Sequence, residues 1–161
     1  MTIERVVTGT GEVEITGSGY RPEGELRAGG AALEDPILLE EVEAVLAAGS
    51  LANDAVLREE GGEWAVQGDP TEAAFLVAEA KVEGLADRRR ARFGRVGEVP
   101  FTSERKLMST LNSDAERDGA IALITKGAPD VLLARCTGDH LDPNRYLKLR
   151  RIATENLSQI I

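Results

Sequence analysis

Three short segments contain the side chains best suited to bind a ligand. They are Gly68–Ala74 (GDPTEAA), Val99–Ser109 (VPFTSERKLMS) and Thr125–Asp130 (TKGAPD). Phe101 follows Pro100. Its ring therefore offers a semi-rigid aromatic face of the kind on which nucleobases stack. Lys106 and Lys126 carry compact positive charges of the kind that suits phosphate. These residue types suit a ligand that combines a flat ring with anionic groups.

Each of these residues also has an ordinary structural explanation. An isolated phenylalanine is usually a core residue, and an isolated lysine usually lies on a solvated face. Glu72 falls in the first turn of an expected helix, where a carboxylate complements the helix dipole. Gly127 would allow a close approach of backbone and ligand, which a Cβ would obstruct. Residue type alone leaves both interpretations, structural role and ligand binding, open for each position.

The common signatures of nucleotide and catalytic sites are absent from the sequence. There is no P-loop and no dinucleotide-binding glycine pattern, since Gly17-Ser18-Gly19 has no third glycine in place. No zinc-ligand pairing exists, and the single histidine, His140, cannot hold a metal alone. No nucleophile elbow occurs. We therefore predict no catalytic residue and no metal site in this chain.

Composition limits the possible partners. The chain has 161 residues and a formal net charge of −9, which argues against nucleic acid as a partner because phosphate backbones require basic surfaces. Any site for an anionic ligand must be a local cationic patch. The single cysteine, Cys136, excludes an internal disulfide and suits a reducing compartment. No apolar run is long enough to span a membrane. A single soluble domain over residues 1–161 is expected.

Sequence patterns predict the order of the elements. Asp35 and Pro36 suit the cap and first position of a helix, with an apolar stripe at Leu38, Leu39, Val42, Val45 and Leu46 and an end at Gly49. Further helices are predicted from the Gly68–Glu72 segment to about Glu83, over Leu85–Arg92 with a solvated Arg88–Arg90 end, at Pro129–Arg135 and at Asn144–Ile160.

β-Strands are predicted between and before these helices. They are expected at Val6–Val7, Val13–Ile15, Trp64–Val66, Arg95–Phe101, Lys106–Asn112 and Ala120–Thr125. The strands and helices do not alternate regularly. The predicted fold class is therefore α+β, with a mainly antiparallel β-sheet flanked by helices.

In this order and spacing, the three segments resemble the nucleotide-binding domain of P-type ATPases, particularly the type II class that includes the calcium pumps. The family forms are close to GDPTE, PFxSxRKxMS and KGAPE, and Leu51–Ala55 (LANDA) resembles its LCNDA. The turn-rich Thr16–Gly24 resembles the stretch after the family's phosphorylation loop. The resemblance covers the whole chain, and its strength lies in four motifs in order.

The resemblance implies a role for each site residue. Phe101 would stack on adenine, Glu72 would accept a hydrogen bond from the adenine amino group, and Lys126 would lie deep in the adenine pocket. Lys106 would approach the phosphates, and Gly127 would let the backbone come close to the ligand. Ser103 stands where animal calcium pumps often carry a phosphate-binding arginine, which implies weaker phosphate binding here.

Two further positions bear on that pattern. Arg105 is a candidate to replace the missing charge, but strand alternation would point it away from Lys106. Asp130 replaces the glutamate of KGAPE, and its place at a helix start explains it as a cap.

The implied function is that of one part of a cation pump. The domain would bind ATP, as MgATP in the full-length pump, and present the γ-phosphate to an aspartate on a separate phosphorylation domain. That loop is absent here, so the chain is expected to bind ATP and ADP without hydrolysing them. Its other partners would be the phosphorylation and actuator domains of the same polypeptide, and its place would be the cytoplasmic side of an integral membrane protein. The favoured ion is calcium.

Two other functions remain open on sequence alone. One is an acidic protein-interaction module without nucleotide binding, and the other is a free-standing ATP hydrolase. The chain ends within an apparent amphipathic helix at Ile161, which favours a domain excised from a larger membrane pump.

Overall fold

A computed structural model describes residues 1–135 of the chain. Within them the strands form three antiparallel sheets of four, two and three strands. The strands are β1 (Arg5–Val7), β2 (Glu12–Ile15), β3 (Leu26–Ala28), β4 (Ala31–Ala32), β5 (Val56–Glu60), β6 (Glu63–Gln67), β7 (Phe93–Thr102), β8 (Leu107–Asp114) and β9 (Ala120–Gly127). The predicted α+β class with antiparallel pairing is confirmed.

Four α-helices accompany the sheets in the described part of the chain. They are α1 (Pro36–Leu51), α2 (Pro70–Ala80), α3 (Leu85–Arg92) and α4 (Pro129–Leu133). Among residues 1–135, none of these helices has both the length and the apolar character that crossing a bilayer requires. The predicted helix at Asn144–Ile160, together with Cys136 and His140, lies outside the described residues.

The main hydrophobic core joins the first sheet to the helices. Its apolar side chains come from β1, β2, α1, α2, the turn after α2 and the first residue of α3, and they are Val6, Val13, Ile15, Leu38, Val42, Leu46, Ala78, Val82 and Leu85. The predicted stripe on α1 is correct at three of these positions and wrong at Val45, which is 42% exposed. The apolar stripe that α1 buries in this core is therefore narrower than predicted.

Helix α1 begins as predicted and ends later than predicted. Asp35 caps it, because its Oδ1 accepts hydrogen bonds from the backbone nitrogens of Ile37 and Leu38 at 2.9 and 3.3 Å. The predicted end at Gly49 is wrong, since the helix continues to Leu51. Gly49 is buried, and the ring of Phe75 on α2 occupies the space that a Cβ at this position would need. The glycine therefore allows α1 and α2 to pack closely.

Gly49→Ala is expected to destabilise the domain, although alanine is the better helix former by about 1 kcal/mol. The added methyl group would overlap both the edge and the Cγ atom of the Phe75 ring, so the whole ring must move, and overpacking of this kind costs about 1–3 kcal/mol. Urea unfolding of the variant measures the net change. Gly94→Ala, a substitution outside the helices whose Cβ would meet only the Ser113 hydroxyl, is the control. A gain in stability in Gly49→Ala would contradict this packing.

Two further predictions about the helices need correction. Helix α2 ends at Ala80 and not near Glu83, and Gly84 in a left-handed conformation (φ 67°) precedes α3. The Arg88–Arg90 end of α3 is not uniformly solvated: the Arg89 side chain is 14% exposed and forms an ion pair with Glu79, which is 1% exposed. A buried carboxylate needs such a partner, so Arg89 is part of the packed interior.

The three-stranded sheet presents two distinct faces. On β8, alternate residues Met108, Thr110, Asn112 and Asp114 are all buried, and the Thr110 hydroxyl donates to the Leu51 carbonyl oxygen at the end of α1 at 3.3 Å. Because antiparallel partners share a face, Lys126, which pairs with Met108, lies on this helix-facing side. Ile121 and Leu123 lie on the other side and are 55% and 65% exposed. The strand end near Lys126 thus approaches α2.

Candidate functional site

The first and third of the three segments meet directly. Lys126, on β9, donates a hydrogen bond from Nζ to Oε1 of Glu72, in the first turn of α2, at 2.8 Å. Their side chains are 24% and 19% exposed, respectively. The two charges are therefore partly shielded from water and partly accessible, and together they offer a donor and an acceptor.

Glu72 is also held by the Leu51–Ala55 segment, which links α1 to β5. The backbone nitrogen of Asp54 donates to Glu72 Oε2 at 3.0 Å, and the amide of Asn53 donates to the Glu72 carbonyl oxygen at 2.7 Å. Asn53 Oδ1 in turn accepts from the backbone nitrogen of Ala55 at 2.8 Å. Since each carboxylate oxygen of Glu72 has one donor, the orientation of the group is fixed. Complementing the helix dipole does not require these contacts.

The N-terminus of α2 is built to keep Glu72 in place. Asp69 caps it, because its Oδ1 accepts from the backbone nitrogens of Thr71 and Glu72 at 2.6 and 3.3 Å. Hydrogen bonds from Thr71, first from its backbone and then from its side chain, lower the pKa of Asp69, with smaller contributions from the Glu72 backbone and Lys126. The first turn of α2 is thus fixed before any ligand arrives.

The second segment forms the connection between β7 and β8. Phe101 is 59% exposed, so the explanation of this residue as a core phenylalanine is wrong. The pairing of β7 with β8 shifts between Val99 and Thr102. This irregularity lies beside Pro100, which cannot donate to the strand ladder. An exposed aromatic ring at a strand end is available for stacking.

Lys106 lies in the turn and not at the start of a strand as predicted. It adopts a left-handed conformation (φ 53°), its backbone nitrogen donates to the Thr102 carbonyl oxygen at 2.8 Å, and β8 begins only at Leu107. The argument that alternation separates Arg105 from Lys106 therefore fails, because neither residue lies in a strand. Arg105 instead donates to the Pro100 carbonyl oxygen and the Ser109 hydroxyl at 3.3 and 3.4 Å. Ser103 is exposed in the same turn.

The turn and the third segment are packed together through Gly127. Gly127 pairs with Leu107, and a Cβ at Gly127 would overlap the Lys106 carbonyl oxygen and Leu107. The next residue, Ala128, donates from its backbone nitrogen to that same carbonyl oxygen at 3.1 Å. Within this chain, Gly127 is thus required by the contact between the two segments. This contact holds the Lys106 turn beside the end of β9.

The grooves on the surface of the described residues lie elsewhere. An open groove of about 370 Å³ runs between α1, α3 and the end of β7, and Arg88, Arg92 and Phe93 are among its lining residues. None of the residues that line it belongs to the three segments. Its residues Arg88 and Arg92 are already paired with Glu43 and Asp114, so the groove has little free positive charge to bind an anionic ligand. The three segments remain the candidate.

Residues 41–149 of the chain match the sequence profile of a family described as P-type ATPase, cytoplasmic domain N. The chain belongs to this family. The predicted resemblance is therefore confirmed, and the Glu72–Lys126 pair is a feature of a P-type ATPase N domain.

Individual relatives agree with this assignment. The chain is 35% identical over 159 residues to "Cation-transporting ATPase pma1" of Synechocystis, a match that covers 94% of the chain and 17% of the relative. It is 32% identical over 150 residues to "Calcium-transporting ATPase" of Bacillus subtilis, covering 91% of the chain and 16% of the relative. It is 45% identical over 92 residues to "Calcium-transporting ATPase lmo0841" of Listeria monocytogenes, covering 57% of the chain and 10% of the relative. The N domain therefore spans less than a fifth of the length of these relatives.

One charged residue near the site of this N domain was not found from sequence. Arg95, on β7, donates to the carbonyl oxygens of Leu51 and Asn53 at 3.0 and 2.9 Å and to Asp54 Oδ1 at 2.6 Å. It belongs to none of the four motifs, and the contact joins positions more than 40 residues apart. No local signal distinguishes it from other strand arginines.

Proposed function

We propose that this N domain binds ATP and presents its γ-phosphate to the aspartate of a separate phosphorylation domain in a P-type cation-transporting ATPase. The observation that carries the proposal is the direct contact of Glu72 with Lys126 at 2.8 Å, which joins two distant segments at one surface. Adenine carries an amino donor beside ring-nitrogen acceptors. A carboxylate next to an ammonium group offers the complementary acceptor and donor.

The exposed ring of Phe101 supports the same ligand. An aromatic side chain that is 59% exposed loses unfavourable contact with water when a base stacks on it, and such stacking is worth about 1–3 kcal/mol per base. The base would stack on Phe101, and its amino edge would face Glu72 and Lys126. Gly127 would keep the adjoining backbone close to the ligand.

The turn between β7 and β8 is proposed to face the phosphates. Lys106 and Arg105 supply positive charge within a chain whose formal net charge is −9, and Ser103 offers a hydroxyl in the same turn. Ser103 brings no charge, so phosphate binding is expected to be weaker than in a site with an arginine at this position. An affinity of roughly 0.1 to several millimolar is expected for ATP. The ligand in the full-length pump would be MgATP, in which the metal neutralises phosphate charge.

The chemical step would take place on another domain. The aspartate nucleophile would attack the γ-phosphate, the Pγ–O bond to ADP would break, and an aspartyl-phosphate would form. The N domain would contribute binding and orientation, so residues 1–161 alone would bind ATP or ADP without hydrolysis. The phosphorylation and actuator domains of the same polypeptide would be its partners, on the cytoplasmic side of an integral membrane protein. We propose calcium as the transported ion, because relatives that carry that name include those of Bacillus subtilis and Listeria monocytogenes.

Titration of the 161-residue chain with ATP and with ADP, followed by amide NMR shifts, tests the proposal. We expect shifts at Glu72, Phe101, Lys106 and Lys126 that saturate in the millimolar range, with no phosphate release above background. Amides around the Arg88–Glu43 ion pair, which joins α3 to α1 and contains none of the proposed binding residues, serve as the internal control. Unshifted site amides at saturating nucleotide would overturn the proposal and favour an acidic interaction module. Phosphate release that Lys126→Ala abolishes would favour a free-standing hydrolase.

A further inference from the structure

Arg95 connects the three-stranded sheet to the segment that supports Glu72. Its guanidinium group donates to the carbonyl oxygens of Leu51 and Asn53 through Nη2 and to the Asp54 carboxylate through Nη1. The Arg95 side chain is 31% exposed. Three acceptors in the space of four residues are thus held by one rigid fork, which an ammonium group cannot reproduce.

The segment held by Arg95 is the one that fixes the Glu72 carboxylate. The Asp54 carboxylate accepts a hydrogen bond from Arg95 at 2.6 Å, and the Asp54 backbone nitrogen donates to Glu72 Oε2 at 3.0 Å. The Asn53 carbonyl oxygen accepts a hydrogen bond from Arg95 at 2.9 Å, and the Asn53 side-chain amide donates to the Glu72 carbonyl oxygen at 2.7 Å. Two parallel connections therefore run from Arg95 to Glu72, each through one residue.

We propose that Arg95 is a positioning residue that makes the site selective for adenine over guanine. The inference rests on the proposed function. Glu72 accepts hydrogen bonds only, so it suits the amino group at position 6 of adenine and repels the carbonyl oxygen at that position in guanine. Discrimination of this kind requires a fixed carboxylate, since a mobile one can turn away from the guanine oxygen. Arg95 holds the carboxylate of Asp54, whose backbone nitrogen donates to Glu72 Oε2, while Lys126 donates to Oε1.

The remaining contacts of Arg95 separate this role from a simple stabilising one. Arg95 also forms an ion pair with Glu98 at 2.8 Å, and the Glu98 side chain is 42% exposed. That contact lies within β7 and is separate from the hydrogen bonds that connect Arg95 to Glu72. Glu98→Gln therefore removes the charge of one partner of Arg95 and leaves the connection to Glu72 intact. Arg90→Gln is the charge-matched control, because Arg90 pairs with Asp87 on the exposed side of α3.

A double-mutant cycle on the 161-residue chain tests the proposal, with ATP and GTP as ligands. Arg95→Gln is expected to weaken ATP binding about three- to tenfold and GTP binding less than twofold, so that the ATP-to-GTP preference falls. Glu72→Gln is expected to lower the same preference. In the Glu72→Gln background, Arg95→Gln should change ATP affinity by less than about twofold, because residues that act through one contact are not additive. Glu98→Gln and Arg90→Gln should leave the preference unchanged.

The possible failures point to different causes. Absence of ATP binding in the unsubstituted chain overturns the proposed function itself. ATP binding that depends on Glu72 but not on Arg95 overturns only the positioning role. Equal losses from Arg95→Gln in both backgrounds also overturn it, since they show an effect independent of Glu72. If Arg95→Gln does not fold, Asp54→Ala replaces it: this variant keeps the backbone nitrogen, removes the carboxylate on Arg95, and should lower the ATP-to-GTP preference in the same direction. An unchanged preference in Asp54→Ala overturns the role.

Discussion

Phe101→Ala is expected to weaken the binding of ATP, ADP and AMP by a common factor of about 5- to 150-fold, as loss of a base–aromatic stack worth about 1–3 kcal/mol requires. The factor is common because the ring would contact the base, which the three nucleotides share, and not the phosphates, in which they differ. The free energy of unfolding should change little, because Phe101 is 59% exposed and its substitution removes no core packing. Competition titrations of the three nucleotides measure the factor.

A matched control for this variant lies on the same strand. Val96 is 61% exposed on β7, so Val96→Ala removes exposed apolar surface of a similar kind away from the β7–β8 turn. We expect Val96→Ala to bind all three nucleotides as the unsubstituted chain does. A loss in Phe101→Ala for ATP alone would refute stacking and place the ring near the phosphates. Equal losses in both variants would indicate a general effect on β7.

Local signals were sufficient where a short stretch of sequence determines the structure. Asp35-Pro36 and Asp69-Pro70 each begin a helix, because the cap side chain and the fixed proline φ act within a few residues. The Leu85–Arg92 helix was predicted with its correct bounds. The three strands of the last sheet were predicted with ends that differ from the observed ones by at most two residues. The antiparallel pairing that defines the fold class followed from these elements.

Predictions failed where distant residues decide the outcome. Gly49 looks like a helix end in sequence, yet Phe75 from another helix makes it a packing position. Arg89 looks solvated at the end of a basic run, yet Glu79 from α2 draws it into the interior. Both partners come from α2, and neither contact has a sequence signal, since nothing within a few residues of Gly49 or Arg89 reveals it.

The candidate site shows the same division. The residues Glu72, Phe101, Ser103, Lys106, Lys126 and Gly127 were identified through a family resemblance, and their binding roles remain predictions. The contact between Glu72 and Lys126 was not predicted, because it joins residues 54 positions apart. The orientation of Arg105 was misjudged because a turn stands where a strand was expected. Arg95 was missed because it acts on the site through the Leu51–Ala55 segment.

Lys126→Ala is expected to weaken ATP and AMP binding alike, by about 10- to 150-fold, as removal of a hydrogen bond from a charged donor worth about 1.5–3 kcal/mol would do. Lys106→Ala is the matched comparison, because it removes the same side chain from the turn proposed to face the phosphates. It should weaken ATP more than AMP. Lys126→Ala should therefore leave the ratio of ATP to AMP affinity unchanged, and Lys106→Ala should lower it. A general effect of removing one positive charge would change the ratio equally in both variants.

The stability of Lys126→Ala tests the structural side of the pair. The variant removes the donor on Glu72 Oε1 and leaves the Asp54 nitrogen on Oε2, so the carboxylate keeps one partner and its partial exposure of 19% admits water. We expect a loss of about 0.5–1.5 kcal/mol in the free energy of unfolding, well below the 3–5 kcal/mol that breaking a fully buried ion pair costs. Urea unfolding of Lys126→Ala and Lys106→Ala without nucleotide measures it. A loss above about 3 kcal/mol would make the pair a structural element, and the weakened binding would then reflect a damaged fold.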